Sequence, residues 1–146
     1  MEKYDCLKIE NQLCFPLYAC AKEMVRRYKP FLDELDLTYT QYITMMILWD
    51  RGQVNVKELG RALYLDSGTL TPLLKKLEAK GYILRSRSHE DERNVIVTMT
   101  GQGEMLRDRA VAVPEKMGKC IDLAPHEAAQ LYGLLYKLLD KFSEQD

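Results

Sequence analysis

Apolar residues recur at helical spacing through most of the chain, and in one place the period shortens to that of a strand. Leu17, Ala21, Met24, Val25 and Tyr28 follow an i, i+3, i+4 pattern that predicts a first helix. The Lys29-Pro30 pair predicts its end, because a residue before proline resists the α conformation. Thr38 and Gln41 have capping-box spacing ahead of YITMMILW, a run apolar around its circumference that predicts a second helix buried on all sides. Asn55 and Glu58 repeat that spacing before Leu59, Ala62 and Leu63, which predicts a short third helix stopping near Tyr64. In DSGTLTPLLKKLEAKG, Asp66 or Ser67 can cap a fourth helix. Its leucines 70, 73, 74 and 77 form one apolar face, and Gly81 ends it in the left-handed conformation.

The period then falls toward two. YILRSRS and NVIVTMT alternate as two strands joined by a polar turn around HEDER, the one hairpin expected. Met105, Leu106 and Met117 predict a long fifth helix, and Leu131, Leu134, Leu135, Leu138, Leu139 and Phe142 form an apolar stripe on a sixth. These outer helices are long for so small a core, so their stripes predict a homodimer; stripes packed on one another within one chain are the alternative. Two short helices joined by a tight turn and followed by a hairpin have the layout of a winged helix-turn-helix. The expected fold is therefore mainly α with a small β-hairpin wing, dimerised through N- and C-terminal helices. One domain is expected over residues 1–146, with the winged helix-turn-helix at about 38–100 and dimerisation helices at about 8–30 and 101–143.

Composition narrows the class. With 146 residues, 47% hydrophobic and 29% charged, the chain suits one soluble globular domain. No run reaches the roughly 18 apolar residues of a membrane span, and MEKYDCLKIE lacks a secretory pattern, so the expected location is cytoplasmic, without a membrane partner. Four cysteines, Cys6, Cys14, Cys20 and Cys120, show no CxxC spacing, and His89 and His126 have no companion ligands. Neither metal nor cofactor is expected, and the cysteines are expected to rest as thiols.

Charge distribution says more than its sum. From Ser67 to His89, Lys75, Lys76, Lys80, Arg85 and Arg87 stand against Glu78, a local +4 in a chain of net −1. With the leucines of the fourth helix turned inward, its opposite face offers Ser67, Thr69, Thr71, Lys75 and Lys76 to phosphates or base edges, which points to double-stranded DNA as partner. A solvated charged face is the competing reading. Pro72 falls in the second turn and cannot donate to the Gly68 carbonyl, a defect of up to about 3 kcal/mol that a loosened first turn would lessen.

LYLDSGTLTPLLKKLEAKGYILR followed by EDERNVIVTMT resembles the MarR family of bacterial winged-helix repressors, with DER at 91–93 matching its D-x-R wing motif. ENQLCF, YKPFLDELDLTYTQY and LYLDSGTLTPLL are similar to the OhrR branch, repressors that sense organic hydroperoxides through one cysteine. The resemblance implies that Cys14 is the reactive thiolate, with Tyr28 and Tyr39 donating to its sulfur across a dimer. It makes residues 67–80, Pro72 included, the major-groove reader and Arg93 the minor-groove contact. Arg85 and Arg87 belong to the same DNA-binding surface, and Asp91 becomes a wing-stabilising partner for arginine. The inducer it implies is an organic hydroperoxide, and the operator a pseudo-palindrome. One-cysteine members condense the oxidised cysteine with a low-molecular-weight thiol, whereas two-cysteine members use a second cysteine, for which Cys120 is the candidate here.

The residues around Cys14 agree with that role. Pro16 is favourable at a first helical position, which would put Cys14 at or just before a helix cap, where free N–H groups and the positive dipole end favour an anion. Leu13, Phe15 and Leu17 can line an apolar pocket for alkyl or aryl groups. Cys20, six residues on, lies roughly 240° around the helix from Cys14; it and Cys6 read as small inert side chains. Three other readings compete: a MarR-type repressor controlled by a phenolic ligand, a thiol peroxidase enzyme, and a plain dimerisation module. The lysine-bearing helix and arginine wing favour a regulator over an enzyme.

Overall fold

The computed structural model describes residues 2–146. Two short 3-10 turns, Asp5–Leu7 and Ile9–Asn11, lead into helix α1, Cys14–Asp33. The helix runs through Pro30 rather than ending before it. Proline there forfeits one bond, to the carbonyl of Arg26, and that carbonyl lies on an exposed face where water can replace the donor. Helix α2, Tyr39–Arg51, opens on the expected capping box: the Gln41 N–H donates to Thr38 Oγ1 at 3.3 Å, and the Thr38 N–H donates to Gln41 Oε1 at 3.0 Å. It is not buried on all sides, because Met46 is 44% exposed while Tyr42, Met45 and Leu48 are buried.

Strand β1, Gln53–Asn55, precedes helix α3, Val56–Leu63, which Asn55 caps by accepting from the Lys57 N–H at 2.8 Å. Tyr64 ends α3 in the left-handed conformation. Helix α4 is Ser67–Ala79, strand β2 Ile83–Arg87 and strand β3 Val95–Met99, with Gly81 at φ 84° supplying the turn between α4 and β2. The sheet has three strands in the order β1-β3-β2, all antiparallel, with Val97 opposite both Val54 and Arg85. The expected hairpin is thus joined by a third strand, which three residues are too few to announce by alternation.

The expected long fifth helix is two: α5, Gly101–Ala110, and α6, Ala112–Ile121. Pro114 explains the break, since it cannot donate to the carbonyl of Ala110 four residues earlier. Helix α7, Pro125–Gln145, closes the chain. The core gathers Leu32, Leu35 and Leu37 with Met45, Leu48, Leu59, Leu70, Leu74, Leu77, Ile83, Val97 and Leu106. Each fully buried leucine contributes roughly 1.5–3 kcal/mol of transfer free energy. The ends of the chain share little of this. Among the described residues α1 buries Leu32 alone and α7 buries none. No helix is long and apolar enough to cross a membrane among the described residues.

Candidate functional site

Helix α4 owes its orientation to its leucines. Leu70, Leu73, Leu74 and Leu77 are buried against the core, so the 3.6-residue period turns Ser67, Thr69, Thr71, Pro72, Lys75 and Lys76 outward, and all six are exposed. Asp66 caps the helix by accepting from the Thr69 N–H at 2.7 Å. That bond holds the Asp66 carboxyl below its ordinary range. The helix runs on through Pro72. Thr40 of α2 shares a groove of about 240 Å³ with Thr69, Pro72 and Lys76. The linear pattern did not point to Thr40, because its neighbours come from another helix.

The five bases counted between Ser67 and His89 divide into two groups. Arg85 is drawn back onto Glu78: its backbone N–H donates to Glu78 Oε2 at 2.9 Å and its guanidinium Nη2 to Oε1 at 3.1 Å. This arginine keeps the Glu78 carboxyl below its usual value. Lys80 turns toward Asp36, in the connection between α1 and α2, with 3.5 Å between ammonium and carboxylate. Lys75, Lys76 and Arg87 therefore remain for a ligand, joined at the wing tip by Arg93. Asp91 accepts from the Arg93 N–H at 3.0 Å and its Nε at 3.3 Å, and Arg87 donates to the Glu92 carbonyl at 2.7 Å. The wing loop is thus braced by its own acid and carbonyl groups, with the Arg93 side chain 90% exposed.

A second site lies at the far end of α1. Cys14 is the first residue of that helix, and Pro16 the third rather than the first. The exchange is harmless, because the first four N–H groups of a helix have no partner within it. Leu13 precedes the helix without a side-chain cap bond. Cys14 is an exposed free thiol in a cleft of about 430 Å³, walled by Leu13 and Leu17 of the α1 end and by Leu131, Leu134, Leu138 and Phe142 of α7. Lys137 and Lys141 stand at the same cleft. Phe15, expected in this lining, is 45% exposed and is not part of it.

The two tyrosines tied to Cys14 by resemblance meet each other, not the cysteine. Tyr28 and Tyr39 pack in a tilted pair with ring centroids 4.9 Å apart and meet Tyr42, 5.8 Å from Tyr28. Burial raises both phenols above their ordinary value, with neighbouring Tyr39 and Tyr42 adding to the effect at Tyr28. They therefore remain O–H donors at neutral pH. Fourteen residues of helix separate Cys14 from Tyr28, about 21 Å, so no bond between them forms within one chain.

Cys120 is exposed near the end of α6. Lys116, one turn earlier, lies over the Phe31 ring at 5.6 Å, and Phe31 is about 25 Å along α1 from Cys14. A Cys14–Cys120 disulfide, which needs Cα atoms within about 7 Å, has to join two protomers. Cys6 and Cys20 are exposed free thiols rather than buried side chains. Among the described residues no three His, Cys, Asp or Glu side chains gather as a metal site.

Comparison with known proteins bears on both sites. Residues 26–109 match the family described as transcriptional regulator SarA/Rot. The organic hydroperoxide resistance transcriptional regulator of Bacillus subtilis (strain 168) is 44% identical over 144 residues, covering 99% of this chain and 98% of that protein. AbfR of Staphylococcus epidermidis is similar in structure. Its reduced form bound to DNA aligns with TM-score 0.77 at 32% identity over 97% of this chain and 99% of that one. Its disulfide form aligns with TM-score 0.64 at 33% identity over 94% and 96%.

Proposed function

The chain belongs to the SarA/Rot family of transcriptional regulators, a MarR-like winged-helix family, and from that premise we propose a homodimeric repressor that leaves its operator when an organic hydroperoxide oxidises Cys14. The observation that carries this reading is the place of Cys14: an exposed thiol on the first residue of α1, inside an apolar cleft. The N–H groups of the first turn, unpaired within the helix, can hydrogen-bond to a sulfur held at that position. The leucine walls suit an alkyl or aryl group. The relatives supply the oxidant class by analogy, since one is named for organic hydroperoxide resistance.

The chemistry needs no cofactor. The Cys14 thiolate attacks the terminal peroxide oxygen; an S–O bond forms, the O–O bond breaks, and the leaving alkoxide takes a proton from solvent to become the alcohol. Cysteine becomes sulfenic acid. Tyr28 and Tyr39 of the partner subunit are the assigned donors to the sulfur, because helix length forbids the same-chain pairing. The sulfenic acid then condenses, with loss of water, either with a low-molecular-weight thiol or with Cys120 of the partner subunit.

On DNA, α4 enters the major groove with Ser67, Thr69, Thr71, Pro72, Lys75 and Lys76, and the wing carries Arg87 and Arg93 to the adjacent minor groove. Asp91 braces Arg93, and Arg85 is assigned to the base of the wing rather than to phosphate. Two such heads match a pseudo-palindrome with half-sites roughly 34 Å apart, one turn of the duplex.

The test is a titration of the DNA-bound protein with cumene hydroperoxide near stoichiometry, beside Cys14→Ser, with intact mass read under non-reducing conditions. Release of the wild type alone is the expected result, and a covalent dimer mass abolished by Cys120→Ser identifies the two-cysteine route. If both proteins stay on DNA, Cys14 is not the sensor and control passes to a phenolic ligand of the MarR type.

A further inference from the structure

Three cations converge on the turn between α1 and α2. Leu35 and Leu37 enter the core from this turn, and Asp36 between them adopts φ 54°, a left-handed conformation that aspartate tolerates better than most residues. Lys80, one residue past α4, donates to the Asp36 carbonyl oxygen, donates to Gln41 Oε1 at 3.2 Å and lies 3.5 Å from the Asp36 carboxylate. The same Gln41 oxygen accepts the Thr38 N–H at the start of α2. Arg109 of α5 donates to the Glu34 carbonyl, and Lys116 of α6 lies 3.6 Å from the Glu34 carboxylate.

This turn is also the near end of a long arm. The 20 residues of α1 span about 30 Å, and Cys14 stands about 27 Å from Leu32. Leu32 is the one residue of α1 buried among those described, so the core of its own chain holds the helix at its C-terminal end, while the thiol end lies outside the core, against α7 across the Cys14 cleft. A rigid helix held this way delivers a tilt imposed at Cys14 to the residues just past Leu32. Those residues are the ones Lys80 grips. Glu78, two positions before Lys80, holds Arg85 at the base of the wing, so a shift received at Lys80 turns the reading helix and the wing together.

We propose that Lys80 is a positioning residue that couples α1 to α4: its bonds to Asp36 and Gln41 carry a displacement produced by oxidation at Cys14 to the C-terminal end of the reading helix. The inference rests on the sensing role of Cys14 given above. A lysine that merely tightened the turn would change affinity equally in the two redox states and leave their ratio alone. Coupling is that ratio.

The experiment measures dissociation constants of the full-length protein for a duplex from its own upstream region, before and after cumene hydroperoxide, with Cys14 oxidation counted by mass. Wild type, Lys80→Met and Lys80→Arg are compared. The oxidised-to-reduced ratio is expected to fall about tenfold or more in Lys80→Met and to return in Lys80→Arg, which keeps the cation. An unchanged ratio in Lys80→Met overturns the coupling role while leaving Cys14 as sensor. Wild type that carries oxidised Cys14 and still binds removes the sensing role itself.

Should Lys80→Met not fold, amide hydrogen exchange of the wild type decides. Residues 35–41 and 77–82 are expected to exchange faster once Cys14 is oxidised, and unchanged exchange there in protein released from DNA overturns the proposal.

Discussion

Gly103 has no room for a methyl group. A Cβ there meets the Tyr82 carbonyl oxygen, with Met99 Cγ at 2.9 Å and Met45 Cε at 3.2 Å, and the Gly103 carbonyl accepts the Trp49 indole N–H at 2.9 Å. Gly103→Ala is expected to destabilise by about 1–3 kcal/mol through overpacking, read as a lowered thermal midpoint; an unchanged midpoint would mean the contact of α5 with Tyr82, β3 and α2 relaxes freely. At the reading face, Lys75→Ala is expected to weaken binding to all duplexes and to reduce the salt slope by about 1 per subunit, measured by titration at several ionic strengths. An unchanged slope would take that lysine off phosphate. The outward residues of α4 were legible in sequence, because the leucine period fixes which face is left. Gly103 was not, since a close approach between three elements leaves no local trace. The fate of Arg85 and Lys80 was hidden for the same reason: their acceptors, on Glu78, Asp36 and Gln41, become neighbours through the fold.

Between α4 and β2 the Glu78–Arg85 pair acts as a clasp, and its pH dependence has a definite sign. Arg85 lowers the Glu78 carboxyl from the ordinary 4.5. A carboxyl depressed on folding contributes stability that is present above the unfolded value and is lost as pH falls through the folded one. Glu78→Gln is therefore expected to melt below the wild type at neutral pH and to converge with it as pH drops below 4.5. A gap that does not narrow at all as the solution is acidified below 4.5 would assign the effect to packing instead of charge. At the N-terminus of α2, Thr38→Ala removes one half of the capping box and is expected to cost about 1 kcal/mol in chemical denaturation. That box was readable from Thr38 and Gln41 alone, since capping is local. Strand β1 was not, because Gln53–Asn55 is a strand by virtue of its pairing to β3. The ends of α1 and the break at Val111 show two prolines with opposite outcomes: Pro30 is carried within α1, whereas Pro114 interrupts the path from α5 to α6. Which carbonyl can turn to water decides between them, and exposure is a property of the folded chain.

The whole molecule leaves its apolar surface at the two ends of the chain. Leu13 is 81% exposed, Leu134 60% and Phe142 55%, on helices that the core does not claim. In the dimer proposed above, the exposed apolar stripes on these two long helices meet a second copy of themselves, and Tyr28 and Tyr39 of the partner subunit are the groups assigned to Cys14. The dimer is thus asked to do two things at once: complete the thiol's surroundings and set the separation of two reading heads. A charge placed in the stripe separates these roles from folding, because α7 contributes no buried residue to the core of its own chain among those described. Leu134→Glu is expected to sediment as a monomer at micromolar concentration with an unchanged thermal unfolding of the winged region. Its affinity for a palindromic duplex is expected to fall by at least about a hundredfold, since one head without its partner loses the effective concentration that linkage provides. Cys14 oxidation in that monomer should also slow, for want of the phenol donors and because the new carboxylate stands in the wall of the Cys14 cleft. A Leu134→Glu protein that remains dimeric and binds DNA as before would place the interface elsewhere, and with it the source of the groups that face Cys14.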